Sequence, residues 1–290
     1  MNRILVIGAT GRVGREVVSQ LCGAGRVVRA LARNPAASGL PADVEVVRGD
    51  LTVPDSVSEC VAEVDAVFLV WTAPPEAVDH TLPQITSRVG RVVYLSAPHK
   101  TPHPFFQQPN PIRALHERVE QRIVESGCEW TFLRPGMFDS NALGFWAPAI
   151  CAGQDVIRWP YAETPTAAID ERDIAAVAVR TLCEGGHGGS DYVLTGSESL
   201  TQREQLATIG EVIGRRLRME EISPDEASLE LFGGKAPDAV NMLLDAWRAG
   251  LGQPAYMTSE VELITGKPAR TFREWVTDHA ERFRVEPGLQ

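Results

Sequence analysis

The chain has 290 residues, 44% hydrophobic and 23% charged. That excludes a single small module, a fibre and a disordered polymer, and leaves room for a sizeable core. The net charge of −10 excludes broad nucleic-acid binding. The charge is uneven: residues 1–50 hold seven Arg against four Asp/Glu, and the other 240 hold 21 basic against 34 acidic groups. A basic start on an acidic chain suits a small anionic ligand near the N-terminus.

In chain order, short apolar runs alternate with amphipathic segments. The runs are Arg3–Ile7, Val27–Leu31, Val44–Val47, Ala66–Val70, Arg91–Leu95 and Trp130–Leu133. They are nearly continuous in Val, Ile, Leu and Phe, as strands buried on both faces are. Between them, Val13, Val17, Val18 and Leu21 share one helical face, as do Ile112, Leu115, Val119 and Ile123. This alternation predicts an α/β Rossmann fold, a doubly wound parallel sheet. Beyond residue 137 the pattern loosens into helices at 139–151, 172–184, 202–214, 236–249 and 271–281. Short strands fit 155–158, 166–169, 191–194 and 218–222. Thr201 with Glu204, and Thr271 with Glu274, have capping-box spacing. Residues 1–137 are therefore expected to form a dinucleotide-binding domain. Residues 138–290 are expected to form a smaller α+β substrate lobe, interleaved with the sheet near 155–194.

The five Cys are dispersed and form no CxxC pair, so they are expected to be reduced thiols and no metal site is expected. There is no apolar leader and no run of about 20 apolar residues. A soluble, cytoplasmic protein is expected, with a small-molecule substrate and neither a nucleic-acid nor a membrane partner. A homo-oligomer is compatible with the sequence.

The first strand enters the first helix through Gly8-Ala-Thr10-Gly11-Arg12-Val13-Gly14. Gly8 permits the tight turn, Gly11 the approach of a diphosphate, and Gly14 close packing of helix on strand. The free N–H groups of the helix N-terminus then face the phosphates. Gly8, Thr10, Gly11, Arg12, Val13 and Gly14 are the candidate contacts. An acid at the end of the second strand would bind a ribose 2′-OH, but no carboxylate occurs between Glu16 and Asp43. Arg33 stands there instead, with Arg12 expected nearby. Two guanidiniums suit a 2′-phosphate, so NADP(H) is predicted over NAD(H). Asp50 and Leu51 close the third strand and are candidate adenine contacts. Trp71, Thr72 and Ala73 end the fourth, where cofactors border open sheets.

These motifs resemble the atypical, NmrA-like branch of the short-chain dehydrogenase/reductase superfamily. The matching pieces are GATGRVG at 8–14, RALARNP at 29–35, GDL at 49–51 and YLSA at 94–97. So are the segment 116–141 containing LRPGMF, DERDIAAVAV at 170–179 and LITGKPARTFREWV at 263–276. The resemblance covers essentially the whole chain. It implies that Ser96, Pro135 and Phe138 border the cofactor and that Asn141 faces the substrate. The chain departs from the superfamily in lacking Tyr-x-x-x-Lys. It has only four Tyr and three Lys, and no pair has that spacing. His116 stands at the helix start where some relatives carry Lys, with Glu120 one turn on. It is the candidate catalytic residue, able to donate a proton or hold the nicotinamide ribose. His99 and His103, on the loop after the fifth strand, are candidate substrate donors. Trp146 and Trp159 are candidate walls for a flat substrate.

Three functions fit these residues. The first is an NADPH-dependent reductase of a quinone, enone or ketone, working by hydride transfer without a Tyr-Lys dyad. The second is a non-catalytic NADP(H) sensor. The third is an isomerase or cyclase on the same fold.

Overall fold

The computed structural model describes residues 3–230 and 237–284. Six strands lead the chain: β1 (Arg3–Ile7), β2 (Val27–Ala32), β3 (Glu45–Arg48), β4 (Ala66–Leu69), β5 (Arg91–Leu95) and β6 (Glu129–Pro135). Later strands are β7 (Val156–Trp159), β8 (Pro165–Thr166), β9 (Ser190–Leu194), β10 (Leu200–Thr201) and β11 (Arg218–Glu221). The main sheet has the order β3-β2-β1-β4-β5-β6-β9, and every pair in it is parallel. Strand order reverses beside β1, which pairs with β2 on one side and β4 on the other (Ile4 with Val28 and with Ala66). Ligands of open parallel sheets bind at that reversal, beyond the strands' carboxyl ends.

Alternate residues of each strand serve opposite layers. Ile4 and Val6 face helix α1 (Arg12–Gly23), joined by Ile174, Val177 and Ala178. Leu5 and Ile7 face the layer containing Val57, Leu82, Ile85, Val119 and Ile123. Those residues come from α2 (Pro54–Cys60), α3 (Val78–Thr86) and α4 (Arg113–Glu125). Both faces are dry, which is why these strands show no polar alternation.

The remaining helices are α5 (Asn141–Phe145), α6 (Ala147–Cys151), α7 (Glu171–Cys183), α8 (Gln202–Ile213), α9 (Pro224–Glu230), α10 (Pro237–Gly250), α11 (Glu260–Thr265) and α12 (Phe272–Asp278). The expected helix at 139–151 is two short helices, because Pro148 lacks the N–H that would continue the ladder. Residue 236, the expected start of α10, lies outside the described residues. Helices α9 and α11 had no clear periodicity in the sequence. Helix α7 packs on α1, and β9 supplies the sheet's seventh strand, so residues beyond 137 return to the sheet layer. A third core holds Trp146, Trp159, Trp247, Trp275 and Phe283 beneath α8, α10 and α12.

Both expected capping boxes are present, Thr201–Glu204 on α8 and Thr271–Glu274 on α12. No helix among the described residues is long and apolar enough to cross a membrane.

Thr271 both caps α12 and seats Trp275 in the lobe core. Thr271→Ala is expected to cost about 1 kcal/mol. Urea denaturation should show a lower midpoint at unchanged m-value.

Candidate active site

The glycine loop has the geometry that its composition requires. Gly8 has φ +87°, a region open to glycine at little cost. A Cβ on Gly14 would lie 2.1 Å from the Gly8 carbonyl oxygen, so only glycine lets α1 sit this close to β1. The Gly11 N–H donates to Gly8 O at 3.0 Å. Helical geometry leaves the next N–H groups of α1 without intrahelical acceptors, facing the loop.

Beside this loop lies a cleft of about 520 Å³, lined by Gly8, Thr10, Gly11, Ala32, Arg33, Gly49, Asp50, Leu51, Thr52, Thr72, Ala73 and Pro74. Its size suits a small-molecule or cofactor site. Asp50 accepts from the Thr52 N–H and hydroxyl, both at 2.8 Å. Those bonds, with the charge of Arg33, hold its carboxyl below the usual range. Arg33 is exposed on the cleft wall and forms no salt bridge among the described residues. The cradle therefore fits a dinucleotide, with Arg33 in place of a carboxylate just past the end of β2.

Several expected contacts lie elsewhere. Arg12 does not join Arg33. Its guanidinium donates to Ser140 Oγ at 2.9 Å, drawn toward Glu171, and lines a separate cavity with Arg15 and Arg282. The Val13 side chain is buried against the sheet. Trp71 turns into the sheet core and donates to Ala73 O at 2.9 Å, so it shapes the loop without lining the cleft. Phe138 packs on the sheet core and bridges to Ile169. Pro135 ends β6 and is buried.

Ser96 is also turned away: its hydroxyl donates to Glu120. Glu120 is buried and pairs with Arg134 at 2.7 Å and Lys100 at 3.1 Å. Arg134 also donates to Ala97 O at 3.0 Å and to Asp191 at 2.8 Å. Burial alone would raise the Glu120 pKa, but these partners bring it below the usual range. His99 is sealed beside this network, 3.8 Å from Glu120, and neither ring nitrogen has a hydrogen-bond partner. It is only 3% exposed and cannot reach substrate as expected.

His116, on the first turn of α4, shares a 2.7 Å hydrogen bond between Nδ1 and the Tyr94 hydroxyl. Tyr94 is fully buried, which keeps its phenol protonated. The phenol has no other partner among the described residues, so it donates to Nδ1. That leaves the proton of a neutral ring on Nε2. Burial first, then the nearby charge of His99, lowers the His116 pKa to about 4.

A second, narrow cavity lies past the ends of β6 and β9. Its walls are His103, Phe105, Phe106, Gly136, Met137, Pro165, Thr166, Ala167, Thr195, Ala255 and Tyr256. His103 is the one expected substrate residue on its wall. Asn141 reaches Met137 Sδ at 3.9 Å and stands behind it. Trp146 and Trp159 are each 1% exposed and pack with Phe145 and Trp247, so they serve the lobe core and are not a substrate wall. The sequence did not reveal Phe105, Thr166, Thr195 or Tyr256, which come from four segments far apart in the chain. Phe105-Phe106 beside His103 was the one local signal. Among the described residues no His/Cys/Asp/Glu group could hold a metal.

Residues 8–184 match the model of an NAD(P)H-binding family. The chain is 39% identical to the (4-alkanoyl-5-oxo-2,5-dihydrofuran-3-yl)methyl phosphate reductase of Streptomyces griseus, over 98% of this chain and 100% of that one. It is 33% identical to the NAD(P)H azoreductase of Xenophilus azovorans, over 97% and 99%. Its fold matches the NADPH-dependent quinone oxidoreductase of Escherichia coli complexed with NADPH, with TM-score 0.79 and 24% identity over 95% and 99%. The chain belongs to the NAD(P)H-binding family. It is an NAD(P)H-dependent reductase.

The low pKa of His116 couples to stability. Between pH 6.5 and about 4 the unfolded chain protonates this ring and the folded chain does not. Acid therefore weakens the fold in that window, by up to ~3 kcal/mol at 1.36 kcal/mol per pKa unit. Asp173 opposes it: burial raises its pKa from 3.8 to about 6, so the folded state binds the proton first and gains stability as pH falls. His116→Gln should remove the first term alone. Its urea midpoint should fall less than wild type's between pH 6.5 and 4; parallel curves would contradict the assignment.

Proposed function

We propose that this protein reduces a small conjugated carbonyl compound, an enone or quinone, with NADPH, and does so without a Tyr-Lys dyad. The observation that carries this is the narrow cavity past β6. Its wall is mostly apolar and has no Asp, Glu, Lys or Arg. Such a site suits a substrate whose reduced anion is stabilised within itself. The compound named in the 39% relative, an alkanoyl-oxo-dihydrofuran bearing a methyl phosphate, has a ring C=C conjugated to two carbonyls. A quinone gains aromaticity on reduction. Neither needs a strong protein acid.

The bound cofactor supplies the hydride; the remaining hydrogen comes as a proton from water. Gly8, Gly11 and the α1 N-terminus hold the diphosphate. Asp50, Leu51 and Thr52 bound the adenosine side, and Arg33 receives the 2′-phosphate, which a guanidinium fork matches. His116, neutral and carrying its proton on Nε2, donates to the nicotinamide-side ribose. Burial of Tyr94 keeps this donor in one tautomer. The lobe beyond residue 137, apart from α7 and β9, encloses the substrate. The apolar, uncharged lining of the narrow cavity supports turnover over the sensor reading.

Deuteride transfer tests the reaction. With NADPH deuterated at C4, an acyl-butenolide or naphthoquinone should be reduced, with one deuterium appearing in the butenolide product. Binding of NADPH with no transfer to any conjugated carbonyl would mark a sensor. Arg33→Glu tests the cofactor: the Kd for NADPH should rise at least tenfold while that for NADH changes little. Equal losses for both would remove Arg33 from the 2′-phosphate.

A further inference from the structure

The narrow cavity has few polar groups, and apart from the Thr166 and Tyr256 hydroxyls the side-chain donors on its wall are engaged. His103 Nδ1 accepts from the Phe105 N–H at 3.3 Å, and Nε2 bonds Pro254 O at 3.0 Å. A nitrogen that accepts from an N–H has no proton, so the proton is on Nε2 and is given to Pro254. His103 thus has no donor left for a ligand. Thr166 Oγ1 accepts from Gln205 at 2.8 Å. Thr195 Oγ1 accepts from the Thr258 N–H at 3.0 Å. It also donates to Thr258 O at 3.4 Å. The Gly136 N–H is spent on Leu194 O at 3.0 Å. Tyr256 has no hydrogen-bond partner among the described residues, and it lines the same wall as Gly136 and Met137.

Tyr256 is also held in place. Two residues before it, Pro254 O is tied to His103; two residues after it, Thr258 Oγ1 donates to Val193 O at 2.6 Å. Thr258 N–H is tied to Thr195 as well. The loop is therefore fastened on both sides of the tyrosine, to the β5–α4 loop and to the end of β9. The ring stands edge-on to Phe106, at 6.4 Å and 87°. The ring is half-buried on the cavity wall, and the fastened loop limits how far it can move.

We propose that Tyr256 is a catalytic residue, whose hydroxyl donates a hydrogen bond to the carbonyl oxygen on which negative charge develops as hydride is delivered. This deepens the conjugated-carbonyl reading above and rests on it. The chemistry balances without a change of state at Tyr256. Hydride adds to the electrophilic end of the conjugated system, the electron pair moves to oxygen, and the O–H dipole stabilises it. Water then returns the proton. A donor fixed in a mostly apolar wall acts with little reorganisation, and removal of one such donor typically costs 10²–10³ in rate. The hydroxyl comes from a loop with no Lys at the dyad spacing, so it is not the superfamily's usual Tyr displaced. The residues around it supply position and no second charge.

The test uses Tyr256→Phe in the full chain with NADPH. The probes are an acyl-butenolide, a naphthoquinone and an unreactive saturated acyl-lactone labelled with ¹³C at the carbonyl. Tyr256→Phe is expected to lower kcat roughly 10²-fold on the butenolide, leaving the Kd for NADPH unchanged, because Tyr256 is outside the nucleotide cleft. The infrared carbonyl band of the bound lactone should shift to lower frequency in wild type. The shift should be lost in Tyr256→Phe. His103→Gln provides a second variant, expected to loosen the loop and broaden that band without abolishing the shift. An unchanged band and an unchanged kcat in Tyr256→Phe would overturn the donor assignment while leaving the reductase reading standing. Failure of wild type to bind or turn over any of the three probes would overturn both.

Discussion

The Arg134–Glu120 pair holds the catalytic end of this sheet together. Both side chains are almost out of water, at 1% and 4% exposure. One comes from the carboxyl end of β6 and the other from the middle of α4. Around them gather Ser96 and Lys100 from the loop after β5, the Ala97 carbonyl, and Asp191 from β9. Three neighbouring strands and a helix thus meet on one ion pair. Loss of either partner from a buried pair typically costs 3–5 kcal/mol, because the other charge is left desolvated. Here the arrangement also sets position. It fixes the turn from Pro135 to Met137 relative to α4, and hence the wall of the narrow cavity relative to His116.

The sheet was legible because its physics is local. Strands buried on both faces must be apolar throughout, and the six runs lie where the strands are. The glycine loop was legible for a similar reason: contact at 2.1 Å from a would-be Cβ is a constraint only glycine meets. Capping boxes need four adjacent residues, and both formed. The separation of Arg12 from Arg33 was not legible. Each has the right charge for an anion, but Arg12's direction is set by Ser140 and Glu171, more than 120 residues away. Trp146 and Trp159 failed in the same way. Aromatic residues near a cofactor motif suggest a substrate wall, yet a small lobe needs large rings for its own core, and four tryptophans were used there.

The shortage of Tyr and Lys takes on a different meaning in three dimensions. A search by spacing asks only whether a lysine follows a tyrosine on one helix. The structure instead pairs Tyr94, on a strand, with His116, on a helix 22 residues later. A buried phenol and a neutral imidazole form a donor with one defined tautomer and no net charge. In a superfamily Tyr-Lys dyad, the cation lowers the phenol's pKa and makes it a better acid. Here burial raises the phenol's pKa and the imidazole's falls, so the pair does not supply an acid near neutral pH.

That difference limits the chemistry. Hydride transfer to a simple ketone creates an alkoxide, which demands a proton as it forms. Transfer to a doubly activated alkene or a quinone creates an anion that its own carbonyls or ring can carry. A site built from neutral dipoles in mostly apolar walls stabilises such an anion without binding it as tightly as a cation would. A positively charged group there would favour the reduced anion so strongly that release would slow. A neutral donor avoids this, because its attraction fades once water protonates the product. On the reading proposed above, the scarcity of charged groups around the narrow cavity would select the substrate by what its reduced form can bear, while Arg33 and the α1 N-terminus would place their positive character on the cofactor side of the cleft.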